Sequence, residues 1–211
     1  AHKGVLFLDE LPEFTRQVLD VLRQPMEDRV VHISRAAMNT SFPANFMLVA
    51  AQNPCPCGYF GDPQKSCTCS AGQIHNYQRK ISGPMLDRID LCIQVPRISY
   101  DKFIGTSLAE NSETIRQRVT KIQLIQQDRF ANSETCNNSE MTTAELKEFC
   151  QLDATGHDLM RHAIDKMNLS GRAYSRTLKV ARTIADLSNS TNIQPQYLAE
   201  ALSYRLVENL F

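Results

Sequence analysis

Two apolar runs constrain this chain more than any other feature. In GVLFLDELPEF, Val5–Leu8 run straight into Asp9 and Glu10; in FMLVAAQNP, Phe46–Ala51 run into Gln52 and Asn53. In each, a proline follows within a few residues. A short continuous apolar run reads as a strand covered on both faces, as in a parallel sheet. Strands that deliver polar groups at their carboxyl ends are how open α/β sheets build ligand sites. The expected architecture is therefore α/β, with chemistry at one edge of the sheet.

The remaining elements follow from periodicity and punctuation. EFTRQVLDVLRQPMEDR spaces Phe14, Val18, Leu19, Leu22 and Met26 as in a helix, with Thr15 as N-cap and closure expected at Pro25. RVVHISRAAMNTSFPANF alternates around a polar middle and predicts a β-hairpin. Residues 54–70 read as a cysteine-rich loop, AGQIHNYQRKIS as a short helix, and Leu91–Val95 as a third strand. A long helix carries Ile115, Val119, Ile122 and Ile125 on one face, and a polar linker is expected at 131–141. Helices are then expected at Thr143–Cys150, Asp153–Asn168, Tyr174–Leu187 and Gln194–Val207. The predicted organisation is an α/β part over 1–97, a helix and linker over 98–141, and an all-α part over 142–211.

With 23 basic and 23 acidic residues the net charge is zero, so no global field draws the chain onto nucleic acid or lipid, and any such contact must be local. No apolar run approaches the roughly 18 residues that span a bilayer, and no signal-peptide pattern opens the chain. The expected location is cytoplasmic, with no membrane partner. Of seven cysteines, Cys55, Cys57, Cys67 and Cys69 crowd into C-x-C-x₉-C-x-C while Cys92, Cys136 and Cys150 are scattered. That distribution favours a metal site over a secreted disulfide framework. Four thiolates can close a tetrahedral zinc site, although one intervening residue within each pair is tighter than usual. A reduced thiol cluster is the other reading.

The acids also admit two readings. In P-loop ATPases the acid ending such a strand serves Mg²⁺, and a neighbouring Glu activates the attacking water; equally, Asp9 and Glu10 could be solvated turn residues or a helix cap. Asn53 reads as a turn residue or as a partner for a phosphate or water. Arg88, in GPMLDRIDL, reads as a local ion pair or as an arginine finger.

The conjunction decides between these readings. GVLFLDELPEF, VLRQPMEDR, ISRA, FMLVAAQNPCPCGYFGD, CTCS, KISGPMLDRIDL and SGRAYSRTLKVARTIADL, in this order, closely resemble the magnesium-chelatase-like AAA+ ATPases of the YifB/ComM type. The resemblance implies the carboxyl-terminal part of a AAA+ core followed by a helical lid, using ATP and Mg²⁺. It implies Asp9 as the Walker B residue for the metal, Glu10 for the catalytic water, Asn53 as sensor 1 and Arg88 as a finger acting on a neighbouring subunit. Arg172 fits sensor 2, with Arg176 one turn further as the alternative.

The family's phosphate-binding loop, G-x-x-x-x-G-K-[ST], is not found in these 211 residues. The chain is thus expected to be a piece of a longer protein, without ATP turnover by itself. In the complete protein the resemblance implies a ring, hexameric in the family, working on DNA in recombination and branch migration. The alternatives are a chelatase-like motor acting on a protein or metal-insertion partner, and a zinc-stabilised binding module. Arg29, His32 and Arg35 on the hairpin read as phosphate contacts or as edge charges that discourage aggregation.

Overall fold

The computed structural model describes residues 1–35, 38–97 and 109–205, with the side chains of Arg35 and Met38 outside that description. The described residues divide into one unit over Ala1–Ile89 and a second within 90–205.

In the first unit, β1 (Val5–Leu8) lies parallel to β4 (Met47–Ala50), in the register Val5↔Met47 to Leu8↔Ala50. The crossover between them holds α1 (Arg16–Asp28) and an antiparallel hairpin of β2 (Val30–Arg35) and β3 (Met38–Pro43), as the sequence predicts. Two short helices follow, α2 (Ala71–Gln78) and α3 (Gly83–Leu86). Leu11, Leu19, Ile81 and Met85 form the buried core, with Leu8, Leu22, Met26, Leu48 and Leu86 packed against it. Truncating the fully buried Leu19 or Met85 to Ala would cost about 2–5 kcal/mol each.

Three local expectations change. The apolar strands are covered on one face only: Leu8 and Leu48 reach the core, while Val5 and Phe7 are 60% and 59% exposed. α1 does not close at Pro25 but runs on to Asp28, because the residues after the proline keep their own bonds. Arg29, at φ 56°, caps the last turn by donating its N–H to Pro25 O at 3.0 Å. The third strand at Leu91–Val95 does not form. A strand needs a ladder partner, and among the described residues none lies beside it. Instead Cys92 N–H bonds the carbonyl of Tyr204 at 3.0 Å, and Ile93 and Val95 are exposed.

The second unit is helical: α4 (Ser112–Arg129), α5 (Thr143–Phe149), α6 (Ala154–Met167), α7 (Gly171–Leu187) and α8 (Pro195–Ser203). Side-chain caps start four of them: Asn111 accepts from Thr114 N–H, Thr142 from Glu145 N–H, Asp153 from Gly156 N–H and Ser170 from Ala173 N–H. Leu146, Met160, Leu178, Ile184, Leu198 and Leu202 belong to one continuous core. On α4 the expected apolar face holds only at Ile122 and, partly, Ile125; Ile115 and Val119 are exposed.

Residues 131–141, expected as a polar linker, are packed into this unit through Asn138. The buried Asp186 carboxylate accepts two bonds from Arg129 (2.7 and 2.5 Å), one from Asn138 (2.8 Å) and one from Arg182 (3.0 Å). Burial opposes ionisation of Asp186, yet the bonds from Arg129 and Asn138 and the charges of Arg182 and Arg129 hold its carboxyl below the usual range. Among the described residues no helix is long and apolar enough to cross a membrane.

Candidate functional site

The carboxyl ends of β1 and β4 are stitched together where the acids emerge. Ala51 N–H donates to Leu8 O and Leu11 N–H donates to Ala51 O, both at 2.9 Å, so Asp9 and Glu10 form a two-residue loop astride the ladder's end. Asp9 Oδ1 accepts Glu10 N–H at 2.9 Å. Glu10 adopts φ 51°, ψ 48°, a left-handed conformation that a residue with a Cβ takes at a cost of about 1 kcal/mol. The kink turns the chain off the strand into a 3₁₀ turn, Leu11–Glu13, whose Leu11 and Pro12 are buried beneath exposed acids. Asn53 lies two residues beyond Ala51 and is exposed, so acids and amide share one edge of the sheet.

α2 braces this edge, through residues that sequence reasoning missed. Tyr77 is 6% exposed; burial, then the charges of Glu13 and Glu10, push its pKa up, against the pull of the Asn53 backbone N–H near its hydroxyl. Gln78 Nε2 donates to Pro54 O at 3.1 Å. Lys80, just past the helix, pairs with Glu13 at 3.6 Å. The helix begins at Ser70, in a capping box with Gln73, immediately after the last cysteine of the cluster.

The four cysteines converge. Their sulfurs all lie within 4.8 Å of one another, with Cys55–Cys57 at 3.4 Å, Cys55–Cys67 at 3.7 Å and Cys57–Cys67 at 3.5 Å. Tetrahedral Zn–S bonds of about 2.3 Å imply sulfurs about 3.8 Å apart, whereas a disulfide needs about 2.05 Å. The cluster therefore has the spacing of a four-thiolate metal site, and all four thiols are free. The x-C pairs reach this spacing because the chain turns sharply after each: Gly58 takes φ 81°, Phe60 N–H points at Cys55 Sγ and Cys69 N–H at Cys67 Sγ.

Electrostatics point the same way. Backbone N–H groups of Tyr59 and Thr68 favour the Cys57 thiolate and bring its pKa down to about 5. At Cys67 the Cys69 N–H also favours the thiolate, but burial and the neighbouring sulfurs outweigh it and push the thiol up to about 12; burial is the largest influence raising Cys69. The backbone thus favours a thiolate at Cys57, while burial and the neighbouring sulfurs oppose further ionisation of the cluster.

The arginines are placed differently from one another. Arg88, following α3, is 5% exposed at its side chain and pairs with Glu27 of α1 at 2.5 Å, while its other terminal nitrogen donates to Pro84 O at 2.6 Å. In this chain it faces its own fold, and an arginine finger at this position would have to leave Glu27. In the second unit, Arg172 stands exposed in the first turn of α7; Arg176, one turn on, pairs with Asp90 at 2.6 Å. On the hairpin, His32 Nδ1 lies 2.7 Å from Ser41 Oγ and is exposed, and Arg29 is the cap of α1; the Arg35 side chain falls outside the described residues.

Comparison with known proteins identifies the family. Residues 1–103 match the family described as magnesium chelatase, subunit ChlI, and residues 109–205 match that subunit's C-terminal family. The chain is 43% identical to competence protein ComM of Haemophilus influenzae and 40% identical to YifB of Escherichia coli, over all of its length in both cases. It spans 40% of the length of either relative. It is also 24% identical to the maternal DNA replication licensing factor mcm6 of Xenopus tropicalis, over 95% of this chain and 24% of that protein. Family match, mixed α/β unit with its parallel strand pair, and helical unit agree: the chain belongs to the magnesium-chelatase-like family of AAA+ ATPases.

Proposed function

We propose that this chain supplies the acid and sensor edge of an ATP-hydrolysing site, completed in the full-length protein by a phosphate-binding loop. The observation that carries this reading is the stitched end of β1 and β4, which brings Asp9, Glu10 and Asn53 to one edge. Asp9 would hold Mg²⁺ and Glu10 would polarise the attacking water. Asn53 would fix the γ-phosphate or that water, by hydrogen bonds from its amide. Mg²⁺ held by Asp9 would supply neutralisation of the phosphate charge. Arg172, or Arg176 on release from Asp90, would act as sensor 2. Arg88 would serve a neighbouring subunit in a ring, hexameric as in the family, after exchanging Glu27 for phosphate.

Cys55, Cys57, Cys67 and Cys69 would hold a structural Zn²⁺, closed to substrate because all four positions are protein sulfur. Free thiols at this density suit the reducing cytoplasm.

For the client, DNA is the reading we favour, on the similarity to a competence protein and to a DNA replication licensing factor. A protein or metal-insertion partner is the second reading, favoured by the chelatase-subunit description of the matching families. DNA binding by the full-length protein, measured with nucleotide across a salt series, separates the two. A steep fall of affinity with salt is expected for DNA; no binding at low salt removes that client.

A further inference from the structure

The cysteine cluster and the sensor residue are joined by a closed mechanical circuit. From Asn53 the chain passes through Pro54 directly into Cys55 and Cys57, whose sulfurs meet those of Cys67 and Cys69. From Cys69 it passes at once into α2, capped at Ser70. The far end of α2 returns to the starting point: Gln78 Nε2 holds Pro54 O at 3.1 Å, and the Tyr77 hydroxyl stands near the N–H of Asn53. The same helix end reaches the turn after the acids, through Lys80 and Glu13. Pro54 and Pro56 remove torsional freedom and donate no N–H, so the short 53–57 segment has few other ways to be held.

We propose that Tyr77 and Gln78 are positioning residues for Asn53, and that the metal-bound cysteine cluster is the anchor that gives them purchase. With a dication between the sulfurs, residues 55–57 and the start of α2 become one rigid body, and the two contacts at its far end fix where Asn53 stands. Without it, mutual repulsion of thiolates opposes closure and the 53–54 backbone is held at one end only. The inference rests on the proposed role of Asn53 for its link to hydrolysis, but the circuit itself does not.

The test has two readouts. Amide hydrogen exchange at Asn53 is measured in this chain, zinc-loaded and chelator-stripped, for wild type, Tyr77→Phe and Gln78→Leu. Tyr77→Phe keeps the ring and removes only the acceptor, so the fold is retained. The expected result is one equivalent of zinc in all three proteins. Exchange at Asn53 should be about tenfold faster in Tyr77→Phe and in stripped wild type, and stripping Tyr77→Phe should add little. That fold-change matches one net hydrogen bond. In the full-length protein the same variants should lower kcat with nucleotide affinity changed less than about twofold. Asn53 exchange that ignores both zinc and Tyr77 overturns the circuit. Exchange that responds while kcat does not overturns the link to hydrolysis, and with it the role given to Asn53.

Discussion

The Arg88–Glu27 pair yields the sharpest prediction about stability, because its two ends differ in burial. Arg88 is 5% exposed at its side chain and Glu27 31%. Removing one member of a fully buried ion pair costs about 3–5 kcal/mol, since the other charge is left behind in low dielectric. Glu27→Ala leaves the buried end behind. Part of the loss is recovered by the bond from Arg88 to Pro84 O and by the better helix propensity of Ala, so about 2 kcal/mol is expected. Arg88→Met leaves the carboxylate, which has water on about a third of its surface, and about 1 kcal/mol is expected. Because the two units need not unfold together, a single melting temperature is the wrong readout. Hydrogen exchange of the α1 and α3 amides reports the first unit alone, and 2 kcal/mol appears there as roughly 30-fold faster exchange. Both variants within 0.5 kcal/mol of wild type, or Arg88→Met the costlier of the two, would refute the geometric reasoning. In an assembled ring, Glu27→Ala should leave turnover intact or raise it, since it frees Arg88 to cross to a neighbour.

Zinc binding should release protons and weaken as pH falls. Cys57, down at about 5, is already ionised at pH 7, whereas Cys67 and Cys69 are raised and must each lose a proton; titration in weak buffer with an indicator should give at least two protons per zinc, and none would count against thiolate coordination. Asp186→Asn should destabilise the helical unit by about 3 kcal/mol, because Arg182 and Arg129 then lack their counter-charge; urea unfolding followed by helical circular dichroism reads the loss, and a shift under 1 kcal/mol would show that the network carries little.

How far the sequence could be read depended on the distance over which each decision is made. Caps and helix periods are local, so α6 emerges at Ala154–Met167 inside its expected range, with Asp153 and Asn168 as its caps. The hairpin was legible for the same reason, and so was the cysteine cluster, whose ligands lie within fifteen residues; the parallel pair, 42 positions apart, was legible only because both of its runs are continuously apolar. What was not legible is long-range. Glu27 and Arg88 are 61 positions apart and Arg129 and Asp186 are 57 apart, and neither spacing leaves a local pattern. Leu91–Val95 has the composition of a strand, but strand formation depends on a neighbour that composition does not report. Tyr77 and Gln78 sit in a helix with no motif; only the fold reveals that this helix ends against Asn53 and Pro54.

The most direct test of the account is ATP hydrolysis by the full-length protein, by Glu10→Gln in that protein, and by these 211 residues alone. Glu10→Gln should bind nucleotide normally and lose turnover by about 100-fold or more, the size of a general-base contribution, while the 211-residue chain should show none. Wild-type turnover in Glu10→Gln, or turnover by the chain alone, would contradict the assignment of the β1 edge as the hydrolytic half of the site.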